Sequence, residues 1–346
     1  MKTAVILFNL GGPDKLDSVK PFLFNLFKDK AIIGAPWFVR YPLALLISSN
    51  REKEAQHIYS AIGGGSPLVP NTLAQAKALE EKLGADFKVF TVMRYWHPMA
   101  AEVAKEVAAY APDKIVYLPL YPQYSTTTTQ SSFDDFDKHF SAIRSARRLN
   151  NGTRNRSGTD VTVSRINCYP VQAGFVNAYA DLIKPIYEDV KNKSGKAPRI
   201  LFSAHGLPEK NIKAGDPYQW QVVETTKAVV AALNIPQLDW KNTFQSRVGP
   251  LKWIEPYTDK EIEIAGSEKV PLLIVPIAFV SEHSETLYEI EQQYRELAAS
   301  CGVPVFARVP AVATHPAFID GLARLVRGDE VVKRTCPAEF TKCRCV

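Results

Sequence analysis

The 346-residue chain has no long apolar run. Its longest candidate, residues 270–280, is interrupted by Pro271 and Pro276 and falls short of the ~18 residues that span a bilayer. The apolar start, Ala4–Phe8, breaks at Asn9 with no small-residue cleavage site behind it, so a buried parallel strand explains it better than a secretion signal. Phosphate-binding loops are also missing. No Walker A, G-x-G-x-x-G or G-x-S-x-G pattern occurs, and Gly63-Gly64-Gly65 lacks the lysine a phosphate loop needs; it reads as a turn opening a helix. Nucleotide-driven chemistry is therefore disfavoured. Charge imbalance is small, with 42 Lys+Arg against 36 Asp+Glu. Arg144, Arg147, Arg148, Arg154 and Arg156 supply five of the six excess charges, leaving +1 elsewhere. The basic balance belongs to one polar loop, 142–160, and not to a nucleic-acid-binding face. The five cysteines are odd in number, with three in the last eleven residues, unlike an evenly paired secreted framework. These absences predict a cytoplasmic chain, at most peripheral to a membrane.

What remains is the balance of a soluble globular protein, 46% hydrophobic and 23% charged. Short runs rich in Val, Ile and Leu predict strands at 3–8, 88–92, 114–118, 161–166, 199–202, 243–245, 272–275 and 305–309. Helix-period stretches alternate with them at 17–27, 73–83, 100–110, 173–190, 222–233, 283–299 and 317–325. That alternation is the pattern of parallel sheets covered by helices on both faces. An internal echo divides the chain. AVILFNLGGPDKL (4–16) is similar to RILFSAHGLPEKN (199–211), and KIVYLPLYPQYS (114–125) to LLIVPIAFVSEHS (272–284), in the same order. We read an α/β protein of two similar Rossmann-like halves, 1–165 and 166–330, followed by a cysteine-rich tail, 331–346.

Ligands of open α/β sheets bind beyond the carboxyl ends of the strands. The residues there are Asn9; Arg94, Tyr95 and His97; Tyr121, Gln123 and Tyr124; His205; Gln245 and Arg247; and Glu282, His283 and Glu285. His205 ends its strand before Gly206-Leu207-Pro208, where a neutral imidazole can take a proton or a metal or simply hydrogen-bond its loop. Glu282, Glu285 and Glu289 recur at helical spacing. They form either a solvated or dipole-complementing face or a carboxylate ladder that binds a cation or relays protons. With His205 opposite, the N/O donor set suits transient binding of a borderline divalent ion.

Residues 30–47, KAIIGAPWFVRYPLALLI, are apolar yet punctuated by Gly34, Pro36 and Pro42. As a loop, Ile32, Ile33, Trp37, Phe38 and Leu43 would form an exposed lip suited to a flat hydrophobic ligand or a membrane surface, the alternative being packed core. In the tail, Cys336-x6-Cys343-x-Cys345 fits a soft-metal or iron–sulfur site with a fourth ligand from elsewhere, for which Cys168 is the candidate. Zinc and an oxidisable tail are the alternatives, although Cys-x-Cys is a narrower bite than the roughly two to four spacer residues of zinc knuckles. Cys301 reads as structural.

Taken together, LFNLGGPD (7–14), IGGGSPL (62–68), MRYWHP (93–98), LPLYPQYS (118–125), LFSAHGLP (201–208), DPYQWQV (216–222), FQSRVGPLKWIEP (244–256) and PIAFVSEHSETLYEIE (276–291) resemble the ferrochelatase family in content and order. The resemblance implies two Rossmann-like halves with a porphyrin in the cleft between them, ferrous iron and protoporphyrin IX as substrates, and protohaem plus two protons as products. It implies His205 and Glu285 as the catalytic, iron-binding pair. Glu282, Glu289 and Glu291 would form an acidic path, and Arg94, Tyr95, Tyr124, Ile32 and Trp37 would contact the porphyrin. The tail resembles the bacterial subset that carries a 2Fe–2S cluster, with Cys168, Cys336, Cys343 and Cys345 as ligands. MRYWHP and the tail are proteobacterial in style, favouring protoporphyrin IX over coproporphyrin III. A cobalt- or nickel-inserting chelatase and a non-catalytic porphyrin or haem carrier are the other readings. No nucleic-acid partner is implied, and the lip permits peripheral membrane contact.

Overall fold

The computed structural model describes residues 1–151, 161–330 and 336–344, with side chains outside 144–151. The chain forms two compact units, one built on Met1–Cys168 and the other on Tyr169–Gly321. The tail residues 336–344 join the second. Each unit holds a four-stranded parallel sheet flanked by helices.

In the first unit, β1 (Thr3–Asn9) lies between β2 (Phe87–Met93) and β3 (Lys114–Pro119), with β4 (Thr162–Arg165) outside β3. Every residue of β1 is buried, which is why it reads as an uninterrupted apolar run. Its register aligns Asn9 with Met93 and Phe8 with Pro119. The helices are α1 (Val19–Phe27), α2 (Trp37–Ala61), α3 (Leu68–Leu83), α4 (Ala100–Tyr110) and α5 (Ser131–Asn151). One sheet face packs an aromatic cluster in which the Phe8 ring lies 4.9 Å from Phe133, 5.2 Å from Tyr117 and 5.8 Å from Phe136.

The second unit repeats the plan. There β5 (Arg199–His205) lies between β6 (Trp240–Gln245) and β7 (Leu272–Pro276), with β8 (Phe306–Arg308) outside β7. Register pairs His205 with Gln245 and Ser203 with Pro276. Its helices are α6 (Ala173–Ser194), α7 (Glu209–Lys213), α8 (Tyr218–Leu233), α9 (Thr258–Ser267) and α10 (Arg295–Cys301); the last helix, α11 (Pro316–Arg327), divides between the units after Gly321. The two strand orders, β2-β1-β3-β4 and β6-β5-β7-β8, are the same when each sheet is numbered from its own start. The internal echo in the sequence marks β1 with β5 and β3 with β7. A π-helical segment follows in each half, Thr126–Gln130 after β3 and Glu285–Tyr294 after β7.

Three expectations change. The apolar lip is not a loop throughout, because α2 begins at Trp37 and carries Pro42 within it. The stretch 142–160 is helical as far as Asn151, as the end of α5; its remainder lies outside the described residues. The helix expected at 283–299 is π-wound from Glu285 to Tyr294 and α-helical only from Arg295.

Candidate active site

On the second unit the site is assembled at the carboxyl ends of β5 and β6 and at the start of the π-helix. His205 is the last residue of β5, and its Nδ1 lies 2.5 Å from the carbonyl of Gly206. A carbonyl can only accept, so Nδ1 carries the hydrogen and a neutral ring keeps its lone pair on Nε2. The Trp253 ring lies 6.1 Å away. Gly206 packs closely here: a Cβ would sit 3.1 Å from both the Gln245 carbonyl and the Trp253 ring, so either would have to give by a few tenths of an ångström.

Glu285 opens the π-helix, a winding often found where function has re-aimed a helix. Its Oε2 is buried and accepts no hydrogen bond among the described residues, and His283 Nε2 lies 3.9 Å away. An unpaired buried carboxylate oxygen costs about 1–3 kcal/mol or more, so such an atom points to a ligand. His283 stacks on Phe279 at 4.5 Å. Burial holds its pKa below the usual imidazole value, against the pull of Glu285 and Glu282.

The neighbouring carboxylates diverge. Glu289 accepts from Ser246 Oγ (2.5 Å), Ser246 N (2.9 Å), Gln245 Nε2 (3.0 Å) and Tyr294 OH (3.0 Å). Burial first, and the Glu285 charge second, push its pKa above the usual carboxylate range. Gln245 is itself fixed by Ser203 Oγ, which donates to its Oε1 at 2.7 Å. Glu282 turns away to Arg308, whose NH1 lies 2.9 and 3.0 Å from its two oxygens, and also accepts from Ala311 N at 3.0 Å and from the Thr286 hydroxyl. Burial would raise its pKa, but Arg308 and these donors bring it below the ordinary value. Glu291 accepts from Arg308 Nε at 3.1 Å and Arg295 Nε at 2.9 Å. Glu285 and Glu289 thus neighbour one another, while Glu282 and Glu291 share Arg308. Linear spacing gave no signal for Arg308 or Ser246 in these roles.

On the first unit, Asp29 organises the predicted porphyrin contacts. Its Oδ2 accepts from Arg94 NH2 (2.8 Å), Tyr95 OH (2.8 Å) and Ser131 Oγ (2.5 Å), and its Oδ1 from Ala31 N (2.9 Å). Arg94 also donates through Nε to Ser131 Oγ at 2.8 Å and pairs with Asp135 at 3.4 Å. A cavity of about 470 Å³ opens here, lined in part by Asp29, Lys30, Arg94, Thr126, Ser131 and Lys138. Tyr95 is buried beneath the Arg94 guanidinium, 5.0 Å from its ring centroid. Tyr124 is equally buried, and its hydroxyl donates to Gln130 Oε1 at 2.8 Å. Ile32 and Trp37 are exposed, Trp37 by 69%. Asp29, unremarked in the sequence, is the residue on which this set converges.

Among the tail cysteines, Cys336 and Cys343 are buried, and both lie near Gln221 Nε2, at 3.1 and 4.0 Å. Cys168 is buried and disulfide-bonded. Cys345 lies outside the described residues. Cys301 is a free, partly buried thiol. Among the described residues no group of three or more His, Cys, Asp or Glu side chains converges to hold a metal ion, and no helix is long and apolar enough to cross a membrane.

Comparison with known proteins agrees with this geometry. Solved structures of similar fold include SirB from Bacillus subtilis with Fe3+, at 14% identity and a TM-score of 0.55 over 94% of this chain and 95% of that one. The sirohydrochlorin chelatase SirB from Bacillus subtilis subspecies spizizenii in complex with cobalt matches at 12% identity, with a TM-score of 0.51 over 94% of each chain. These share the fold. Curated relatives are far nearer in sequence. A ferrochelatase of Caulobacter vibrioides is 52% identical over 99% of this chain and 97% of its own. Those of Phenylobacterium zucineum and Pelagibacter ubique are 49% and 46% identical, each over 100% of this chain and at least 98% of their own. The family's sequence model, Ferrochelatase, matches residues 2–330. The chain therefore belongs to the ferrochelatase family, metal chelatases whose substrates are a porphyrin and ferrous iron.

Proposed function

We propose that this chain inserts ferrous iron into protoporphyrin IX to form protohaem, with His205 and Glu285 as the groups that meet the metal and the pyrrole protons. The observation carrying this reading is the buried Oε2 of Glu285, which has no hydrogen-bond partner among the described residues. Insertion requires two pyrrole protons to leave, the ferrous ion to lose water, and the flat ring to bend so that its nitrogens are accessible. His205, fixed through Nδ1–H on Gly206, turns Nε2 away from that bond, where it can meet a proton or iron. Glu285 offers a hard oxygen. Glu289, with its pKa raised beside Glu285, is the next proton station. Glu282 and Glu291 are compensated by Arg308, so the acidic path narrows to Glu285 and Glu289. On the first unit Arg94 borders the cavity with its charge already paired to Asp29 and Asp135, so Lys30 and Lys138 of the same lining are the cations left for the acidic periphery of the ring. Ile32 and Trp37 offer apolar contact, and Tyr95 and Tyr124 act from beneath by holding Asp29 and Gln130. Binding energy from the periphery supports bending of the ring toward the transition state.

Cys168, Cys336, Cys343 and Cys345 are proposed to hold a 2Fe–2S cluster. Two buried cysteine sulfurs near one amide are soft donors of the kind iron–sulfur clusters use. Cys168 is buried as well, and its disulfide would have to be opened by a dithiol reductant, itself oxidised to a disulfide, before the sulfur could bind iron. When bound, such a cluster supplies a one-electron redox centre. The exposed apolar start of α2 supports peripheral membrane contact.

The test is an anaerobic assay with Fe2+ and either protoporphyrin IX or coproporphyrin III. Faster turnover of protoporphyrin IX is expected, and His205→Ala should bind porphyrin while losing at least about 100-fold in insertion. Wild-type turnover in that variant would remove the assignment. Faster insertion of Co2+ or Ni2+ would make the enzyme a different chelatase, and binding without metallation would make it a carrier.

A further inference from the structure

Gln245 closes β6 opposite His205, and its backbone carbonyl accepts from Gly206 N at 2.8 Å. Its side chain is buried, so both ends of the amide need partners. Oε1 accepts from Ser203 Oγ at 2.7 Å. Nε2 carries two hydrogens, and two acceptors lie within its reach: the Glu289 carboxylate at 3.0 Å and the Glu285 backbone carbonyl at 3.4 Å. One amide thus spans the first and fifth residues of the π-helix. Ser203 lies two residues before His205 and pairs in register with Thr243, so these side chains share one face of the sheet. Thr258, which opens α9, sets its hydroxyl 2.9 Å from both Ser203 Oγ and Thr243 Oγ1. All three hydroxyl residues are fully buried. An amide turned over keeps its shape but presents oxygen where it presented N–H. A carboxylate only accepts, so a reversed Gln245 would set two acceptors against each other at Glu289. By donating to Oε1, Ser203 favours the orientation in which Nε2 faces that carboxylate.

We propose that Gln245 is a positioning residue for proton removal: its amide, oriented by Ser203, ties the Glu285 backbone to the Glu289 carboxylate and holds that carboxylate where it takes a proton from Glu285. This deepens the function proposed above and rests on it. In an α-turn the N–H of residue 289 would bond the carbonyl of residue 285. In a π-turn the bond goes one residue further, and the Gln245 amide supplies the link between 285 and 289 from outside the helix. Ser246 and Tyr294 anchor the same carboxylate; Gln245 is the donor that also reaches residue 285. The transfer moves one proton from the Glu285 carboxyl to the Glu289 carboxylate. One O–H bond breaks as another forms, and no electron is exchanged. Such a step needs the two groups within hydrogen-bond reach or one water apart, which is why a fixed separation matters.

The experiment is a double-mutant cycle on the full-length protein, read as the single-turnover rate of anaerobic Fe2+ insertion into protoporphyrin IX. Porphyrin Kd is measured alongside by fluorescence quenching. Gln245→Met keeps the volume and removes both donors. It should slow insertion about tenfold while porphyrin Kd stays unchanged, the mark of a group that acts on the chemical step. Ser203→Ala deletes one buried oxygen and leaves the amide in place; it should slow insertion about threefold through the same carboxylate. It also carries the test where Gln245→Met does not fold. In a Glu289→Gln background, where that carboxylate is gone, both substitutions should change the rate by less than about twofold. Unchanged rates in the single variants, losses confined to porphyrin Kd, or full losses persisting in the Glu289→Gln background overturn the proposal. Failure of the underlying reading looks different. Wild-type protein that inserts no iron removes the function itself, and a Glu289→Gln variant as fast as wild type removes the proton path that Gln245 serves.

Discussion

Arg308 decides which carboxylates near the π-helix remain available. Its NH1 reaches both oxygens of Glu282 and its Nε reaches Glu291, with only 12% of its own side chain exposed. Glu282 therefore holds its proton less tightly than an ordinary carboxylate despite its burial, while Glu289, without a cation, holds its proton more tightly. A folded-state pKa below the unfolded value contributes stability that is present above that unfolded value and is lost as pH falls through the folded one. Replacing Arg308 with Met leaves Glu282 buried and uncompensated, so we expect a loss of roughly 3 kcal/mol at pH 7. Below about pH 4 that deficit should shrink, because Glu282 is then protonated in the variant. Urea unfolding at the two pH values measures this; an equal deficit at both would show that Arg308 acts through packing. The residue scale is also where the sequence is least legible. Spacing puts Glu282, Glu285 and Glu289 on one face, but the partner that removes Glu282 is 26 residues away.

At the scale of elements, packing leaves its own marks. Gly174, in the first turn of α6, has Ala317 O only 2.2 Å and the Gly321 Cα only 3.0 Å from where a Cβ would lie. Both obstacles are backbone atoms and cannot swing away, so Gly174→Ala should separate α6 from the start of α11 and cost about 1–3 kcal/mol. A lowered urea midpoint with an unchanged slope is the expected reading; an unchanged midpoint would mean that the helices shift freely. The strands were legible because burial on both faces makes β1, β5 and β7 nearly continuous apolar runs. The site positions followed from them: Asn9 and His205 each end the central strand of their sheet. Helix α2 was not legible. Its apolar residues surround the axis, only Ala44, Ser48 and Tyr59 are buried, and Pro42 interrupts the pattern, so no 3.6-residue period survives to be read. The π-winding at Glu285–Tyr294 was equally silent, since no apolar period separates a π-turn from an α-turn over ten residues.

At the scale of the whole molecule, two sheets of one strand order account for most of the chain, and α2 is a feature of the first unit with no counterpart in the echo. Its opening turns concentrate exposed apolar surface: Trp37 (69%), Phe38 (61%), Leu46 (58%) and Leu45 (55%). Scattered exposed leucines need no explanation, but a contiguous group marks an interaction surface. A lipid surface would also bring this face to a poorly soluble porphyrin. Burying a Leu side chain fully is worth about 1.5–3 kcal/mol; with half of each already covered, removing two should weaken partition by at least about tenfold. Leu45→Glu combined with Leu46→Lys changes no net charge and lies outside the core, so stability should stay within about 0.5 kcal/mol. Vesicle co-sedimentation of wild-type and double variant, on neutral and on anionic lipids, measures the effect. We expect binding by the wild type on both lipids and its loss in the variant on both. Equal sedimentation of the two proteins would mean that this helix does not touch the bilayer. Wild-type binding on anionic lipid alone would mean that charge, not the apolar face of α2, brings the molecule to it.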